Sequence, residues 1–543
     1  MKNPKLQKYL LPILLLTLSL IPLLDLLHPG LPKTHDGQDH VARIANFYQN
    51  LTEGNILPRW AQNLNWGYGH PVLMFLYPFP SYMASLFHLF NFSFVDSTKL
   101  VFALSYILSG LTMYLWLKEF LPRQPAFIGS LLYIYAPYRF IDLYIRGAIG
   151  EHVAFIFPPL IFYFLLKLSQ KYSYKNLALG SLSLAALILS HNAISLMFLP
   201  IILLYISYLT WNSKKRLLLI INSCFLLLIA FSLSAFFWLP AFMEGKYTLR
   251  DIVTQGGYED RFATLSQLIS GPFGTGNNYF MFQVGIIHWL AFLAALLLLF
   301  TSFNKKNISF LNLGFLTIFI SSLFLILENS HFIWQKITIL QKFQFPWRFF
   351  SITVFSSAVL GAIALSTTSK KYITYITILL TITILFINKD YWHAKEYLNK
   401  PENFYTSIYS GTTDTGESAP IWSVRFMEQK PKTHLEVISG KAKVADLKRT
   451  STNHTYSVSS QEKIQLRENT LYFPGWTIYV DGKPVDIQYQ DPNNRGVMTF
   501  FVEKGQHNIQ LKFTETKLRL FADIISGVSL LILIVLSYKL IKL

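Results

Sequence analysis

One segment near the start of the chain is dense in residues that can do chemistry. It reads Thr34-His35-Asp36-Gly37-Gln38-Asp39-His40, then Arg43, then Pro58-Arg59-Trp60, then Gly67-Tyr68-Gly69-His70-Pro71. A carboxylate such as Asp36 or Asp39 can take a proton from a hydroxyl as general base. Gly37 permits an unusual turn after Asp36 and the close approach of a ligand. His40, Arg43, Arg59 and Trp60 are of types that bind or orient a substrate. His35, Asp36, Asp39 and His40 are also of the types that hold a divalent ion. The plainer alternative is a solvated polar loop with ordinary turn residues.

Two further segments carry unexpected charge beside apolar runs. Tyr138 to His152 contains Arg139, Asp142, Arg146 and Glu151. Charges at a membrane boundary are costly unless paired or functional. Arg146 suits a phosphate, which a guanidinium can grip with two hydrogen bonds. Glu151 can pair with Arg146, join Asp36 in holding a metal, or act on an acceptor. The structural alternative is an Arg–carboxylate pair that pins two helices. In Gln344-Phe345-Pro346-Trp347-Arg348, Arg348 is placed to meet a lipid phosphate, or else to anchor a helix end beside Trp347. Glu244, after Trp238-Leu239-Pro240, is a further binding candidate. His191 reads better as a helix-packing polar residue.

The elements that position these residues are membrane helices. Of 543 residues, 52% are hydrophobic and 14% charged, well below the roughly 25% charged of soluble domains. Apolar runs long enough to span a bilayer recur along the chain. The net charge of +18 comes from short Lys/Arg loops between them, and no basic stripe indicates nucleic acid. The clusters Lys2/Lys5/Lys8, Lys118/Arg123, Lys167/Lys171/Lys175, Lys214/Lys215/Arg216, Lys305/Lys306, Lys370/Lys371 and Lys539/Lys542 all belong in the cytoplasm. Spans then fall near 8–27, 98–117, 125–140, 153–169, 176–190, 192–210, 217–239, 283–302, 308–327, 347–366, 372–388 and 519–538. That is about twelve, or thirteen if Tyr77–Phe94 crosses. Crossing there would invert every later loop, so an interfacial or re-entrant helix is expected. Both termini are expected inside, the first helix serving as a retained anchor. With this threading the candidate carboxylates and arginines all face outside.

The expected organisation is a membrane unit over 1–388, including the outside loop 28–76. An extracytoplasmic β-rich unit follows over 389–518, and a last helix and tail over 519–543. The β reading rests on alternation in His454–Ser459 and Lys463–Leu466, and on the Asp481-Gly482 hairpin signal. A small sandwich is expected. Cys224 is the one cysteine, so no disulfide staples this unit. Neither a P-loop, nor HExxH, nor GxSxG is present, and the cytoplasmic loops are too short for a nucleotide domain.

His35-Asp36-Gly37…His40…Arg43, Gly54…Pro58-Arg59-Trp60, Gly67-Tyr68-Gly69…Pro71 and Tyr77-Pro78 together resemble the YfhO-like bacterial membrane proteins, often labelled 6-pyruvoyl-tetrahydropterin synthase-related. Arg146-Gly147…Gly150-Glu151, Phe237-Trp238-Leu239-Pro240…Glu244, Phe345-Pro346-Trp347-Arg348 and Phe473-Pro474-Gly475-Trp476 extend the resemblance along the chain. It implies a GT-C glycosyltransferase fold and a polyprenyl-phosphate sugar donor. It also implies an acidic residue in the first outside loop, here Asp36, with Asp39 leaving the base assignment open. The expected acceptor is a cell-envelope glycan, lipid, teichoic-acid-like polymer or protein, and the expected place is the plasma membrane. A divalent metal is possible and no other cofactor is implied. The alternatives are a transporter or flippase for lipid-linked sugars, or a non-catalytic envelope assembly protein.

Overall fold

The apolar runs form helices because a bilayer leaves the backbone no other partner for its polar groups. The computed structural model describes residues 4–269, 274–276, 279–301 and 306–541. The basic residues Lys2, Lys305 and Lys542 fall outside these. Among the described residues, eight helices are long and apolar enough to cross: Tyr9–Leu27, Phe94–Leu117, Ile149–Gln170, Asn192–Asn212, Arg216–Leu233, Ser309–Ile326, Pro346–Ser366 and Lys517–Val535. Shorter apolar helices cover Tyr174–Ser190, Ile286–Phe300 and Ile373–Asn388. The expected span 125–140 is interrupted. Its helix, Arg123–Ile134, has 12 residues and ends before Pro137, because a residue preceding proline is driven out of the helical region. The run Tyr77–Phe94 forms only an 11-residue helix, Phe79–Leu89. At about 16 Å long it is too short to cross, and it exposes Leu86, Leu89 and Phe90 beyond the bundle.

Eight strands of a sandwich lie between Ile373–Asn388 and the last helix: β1 Leu435–Ser439, β2 Ala442–Arg449, β3 Asn453–Ser460, β4 Ile464–Leu471, β5 Trp476–Val480, β6 Lys483–Val485, β7 Val497–Val502 and β8 Gly505–Phe513. They form two antiparallel sheets, ordered β6-β5-β8-β3-β2 and β7-β4-β1. Alternate residues of each sheet meet in one core, including Tyr456, Val458, Ile478, Leu466 and Phe500. The β5–β6 hairpin turns at Asp481 and Gly482, both at positive φ, as a two-residue primed turn requires. The sandwich strands begin only at Leu435; before them, Tyr397–Leu398 pairs antiparallel with Leu31–Pro32. The preceding chain packs on the 28–76 segment: Tyr409 N donates to Asn63 O at 2.8 Å, and Asn65 N to Gly411 O at 2.8 Å.

A buried charge cluster crosses the sandwich. Glu468 accepts from Arg449 at 2.6 Å and from His454 Nδ1 at 2.9 Å. Burial alone would raise the Glu468 pKa, but Arg449 and the His454 and Tyr456 hydrogen bonds outweigh it and hold the group at about 2, below its ordinary 4.5. A depressed carboxylate stabilises the fold above its unfolded pKa, and that contribution is lost as pH falls toward the folded value. The sandwich is therefore expected to lose stability between about pH 4.5 and 2, and Glu468→Gln to flatten this limb. Emission from Trp476, which lies 5.1 Å from the His454 ring, followed against pH and denaturant reads both.

The sandwich is fastened to the bundle by residues that looked chemical in the sequence. Trp60 is fully buried, edge-on to Trp476 at 5.5 Å and tilted against Phe513 at 5.5 Å. Gly69 sits at φ +78, and a Cβ there would run into the Trp60 indole. Trp60→Ala should cost about 3–5 kcal/mol, the usual range for emptying a core aromatic, read as a lower melting temperature in detergent.

Candidate active site at the sandwich-bearing end

The 28–76 segment is not the irregular loop its composition suggests. Gly37–Thr52 is a helix with Asp36 at its N-cap position. Asp39 lies in its first turn, where the helix dipole favours negative charge. The second segment meets it main chain to main chain: His35 N donates to Ile145 O at 3.0 Å, and Asp36 N to Arg146 O at 2.8 Å. Gly147, left-handed at φ +69, makes this approach possible, because a Cβ there would collide with Thr34 Oγ1. The third segment joins through Trp347, whose ring lies 4.3 Å from the Arg146 guanidinium carbon.

Within this junction the carboxylates differ sharply. The Asp36 side chain is exposed, and among the described residues it has no hydrogen-bond or ion-pair partner. Asp39 accepts from the Tyr409 hydroxyl at 2.7 Å. Its pKa is raised, by burial first, with the Tyr409 hydrogen bond and Arg43 opposing. His40 is buried against the Arg43 guanidinium, and burial followed by the Arg43 charge keeps its pKa well below the usual value. Arg43 also donates to Thr413 O at 3.0 Å and sits 5.7 Å from the Tyr77 ring.

Arg146 is a member of a closed network. It is the last residue of a π-helical turn, Ile141–Arg146, a form often found at functional sites. It pairs with Asp142 and, at 2.9 Å, with Glu151, which also accepts from the Tyr138 hydroxyl. Both carboxylates are fully buried. Two acidic partners neutralise the cation, so Arg146 fits the pinning alternative better than phosphate capture. Arg348 is different: it donates to Phe343 O at 2.7 Å, but no carboxylate of the described residues reaches it within ion-pair distance, and its buried Nε has no partner.

Arg348 lines a cavity of about 480 Å³. The walls are mostly apolar, with Leu184, Ile188, Leu196, Phe231, Trp238 and Phe242; Arg250, Lys342, Arg348 and Glu417 supply the charge. Tyr77 and His191 also line it, their rings stacked at 5.1 Å. Asp36 does not itself line the cavity; its segment reaches the cavity through Phe75 and Leu76. His191 Nδ1 accepts from Ile194 N at 3.2 Å as a helix cap.

Three expected binding residues lie elsewhere. Arg59 pairs with Glu515 at 3.2 Å and Asp523 at 2.7 Å. Glu244 pairs with Arg519 at 2.7 Å. Trp60 is sealed in the sandwich contact. All three fasten the last helix and the sandwich, because a buried ion requires a partner and a large indole requires a dry neighbour. A metal held by Asp36 and Glu151, or by the His35–His40 group, does not fit. Among the described residues no three His, Cys, Asp or Glu side chains converge on one point, and the Glu151 oxygens are taken by Tyr138 and Arg146. Tyr409, Asp414 and Glu417 were not singled out in the sequence. The signal for Asp414 and Glu417 was the turn-dense polar run Ser410–Ser418, which carries both carboxylates.

The fold and site together define a many-helix membrane protein with a charged junction at one end of its bundle. The chain belongs to the 6-pyruvoyl-tetrahydropterin synthase related family of membrane proteins, whose model matches residues 73–398. A Lactococcus lactis subsp. cremoris protein, described as uncharacterized, is 26% identical over 218 residues, which is 38% of this chain and 35% of that protein. Mycobacterial arabinofuranosyltransferase AftD has a TM-score of 0.49 at 14% identity, over 71% of this chain and 27% of that one. ArnT of Cupriavidus metallidurans bound to undecaprenyl phosphate gives 0.42 at 14% identity, over 74% and 68%. The Archaeoglobus fulgidus oligosaccharyltransferase gives 0.45 at 13% identity, over 74% and 58%. Likenesses this distant carry no activity across.

Proposed function

We propose that this protein is a GT-C type glycosyltransferase that moves a sugar from a polyprenyl-phosphate donor to a cell-envelope acceptor outside the plasma membrane. The observation that carries this reading is a mostly apolar cavity lined by Arg348, which meets no acid among the described residues, next to a segment whose exposed Asp36 carboxylate has no partner among them. The apolar walls suit a prenyl chain, and the guanidinium suits its phosphate. Asp36 takes the proton of an acceptor hydroxyl. The acceptor oxygen attacks the anomeric carbon from the face opposite the leaving group. The carbon–oxygen bond to phosphate breaks, and polyprenyl phosphate departs with the bonding electrons, its charge stabilised by Arg348. Arg146, held by Asp142 and Glu151, fixes the carbonyl on which the Asp36 amide rests.

The orientation follows from the Lys/Arg loops, which put both termini in the cytoplasm and the sandwich outside. Binding of polyprenyl phosphate to detergent-solubilised protein tests the cavity. Arg348→Gln should weaken it about 10- to 100-fold, the loss expected for one charge-assisted hydrogen bond of about 1.5–3 kcal/mol. Unchanged affinity would remove Arg348 from the phosphate site.

A further inference from the structure

Glu417 is a half-buried carboxylate lining the cavity that Arg348 also lines. It comes from the stretch after residue 398, where the family match ends. Gln344 Nε2 donates to it at 2.7 Å and the Thr415 hydroxyl at 3.3 Å. Its backbone is fixed: Asp414 Oδ1 accepts from Gly416 N at 2.9 Å and Oδ2 from Ser418 N at 3.0 Å. His70 Nε2 lies 3.4 Å from Asp414, within ion-pair distance. The carboxylate is therefore presented from a rigid turn. Arg348, which lines the same cavity, keeps a buried Nε without a hydrogen-bond partner among the described residues, which is a second sign that the cavity expects a polar ligand.

We infer that Glu417 selects the sugar of the donor, by accepting hydrogen bonds from the hydroxyls of an uncharged polyol while Arg348 takes the phosphate. This rests on the proposed donor site and adds the class of its head group. A carboxylate repels a phosphate and accepts from hydroxyls with the strength of a charged acceptor. Burial, followed by the Asp414 charge, raises the Glu417 pKa, with Gln344 and Arg348 opposing. In its protonated form the same group both donates and accepts, which a polyol also satisfies. Of the cations lining the cavity, Arg250 and Lys342 pair with Asp251, and Arg348 disfavours a sugar with a free ammonium.

The test compares two probes on the full-length protein: undecaprenyl phosphate alone, and undecaprenyl-phosphate-linked glucose. Glu417→Gln should weaken the glucosyl lipid about tenfold, as for a lost charged hydrogen bond, and leave undecaprenyl phosphate at its wild-type affinity or tighter. Gln344→Ala, which frees Glu417 without removing it, should give a smaller loss of the same selectivity. Equal weakening of both lipids in the two variants, or of neither, would overturn the inference and leave the donor site standing. If wild-type protein binds neither lipid, the donor site fails and the inference with it.

Discussion

Asp36→Asn should lower sugar transfer by about 10²–10⁴-fold, the range contributed by a positioned general base, and leave the melting temperature unchanged. The expectation of full stability follows from geometry. The carboxylate is exposed and bonds to nothing among the described residues. It occupies an N-cap position without making a side-chain cap, and asparagine is as favourable there as aspartate. Affinity for the lipid donor should also hold, because the phosphate and prenyl chain are bound elsewhere. Asp39→Asn should behave differently. An amide oxygen still accepts from Tyr409, so the variant should keep most of its activity. Transfer kinetics of the two variants side by side assign the base; equal loss in both would return the question to open.

Arg146→Met should destabilise the protein by about 3–5 kcal/mol, the cost of stranding buried charges. Asp142 and Glu151 are both fully buried and both depend on this guanidinium. The Asp142 Oδ2 atom already lacks a partner, so no spare donor stands by. The same substitution in an Asp142→Asn/Glu151→Gln background should recover most of the loss, because a neutral cluster needs no counter-charge. Melting curves of the single and triple variants separate a pinning role from phosphate binding. A single variant that melts like wild type but loses donor affinity would restore Arg146 to the phosphate site.

Much of the bundle was legible because a membrane span needs length and apolarity, both of which are local. Phe94–Leu117 and Asn192–Asn212 show this directly. The interruption after Ile134 was also written locally, in Pro137, but an apolar count passes over it. The non-crossing of Phe79–Leu89 followed from the charges of later loops. The strands around Asp481-Gly482 were legible because their period and turn residues are local too.

The site was harder to read for a physical reason. Residue type announces a charge but not its partner. Arg59 and Arg348 look alike in the sequence, yet Arg59 meets Glu515 and Asp523, more than 450 positions away, and Arg348 meets no acid of the described residues within ion-pair reach. Trp60 looked like a residue that binds or orients a substrate and is a wedge beneath Trp476. Glu417 could not be placed on the cavity wall beside Arg348 because only the packing of Ser410–Ser418 on the 28–76 segment brings it there. The helix Gly37–Thr52 was missed because its buried face carries Arg43, Asn46 and Asn50. Asn46 and Asn50 make hydrogen bonds that hold the segment's own fold.

The central claim is tested most directly by offering purified protein in liposomes a radiolabelled undecaprenyl-phosphate hexose together with envelope extract. The account predicts label moving to an acceptor with release of undecaprenyl phosphate, inversion at the anomeric carbon, and loss of both products in Asp36→Asn. Donor that binds the wild-type protein but is never cleaved, across hexoses and extracts, would contradict it.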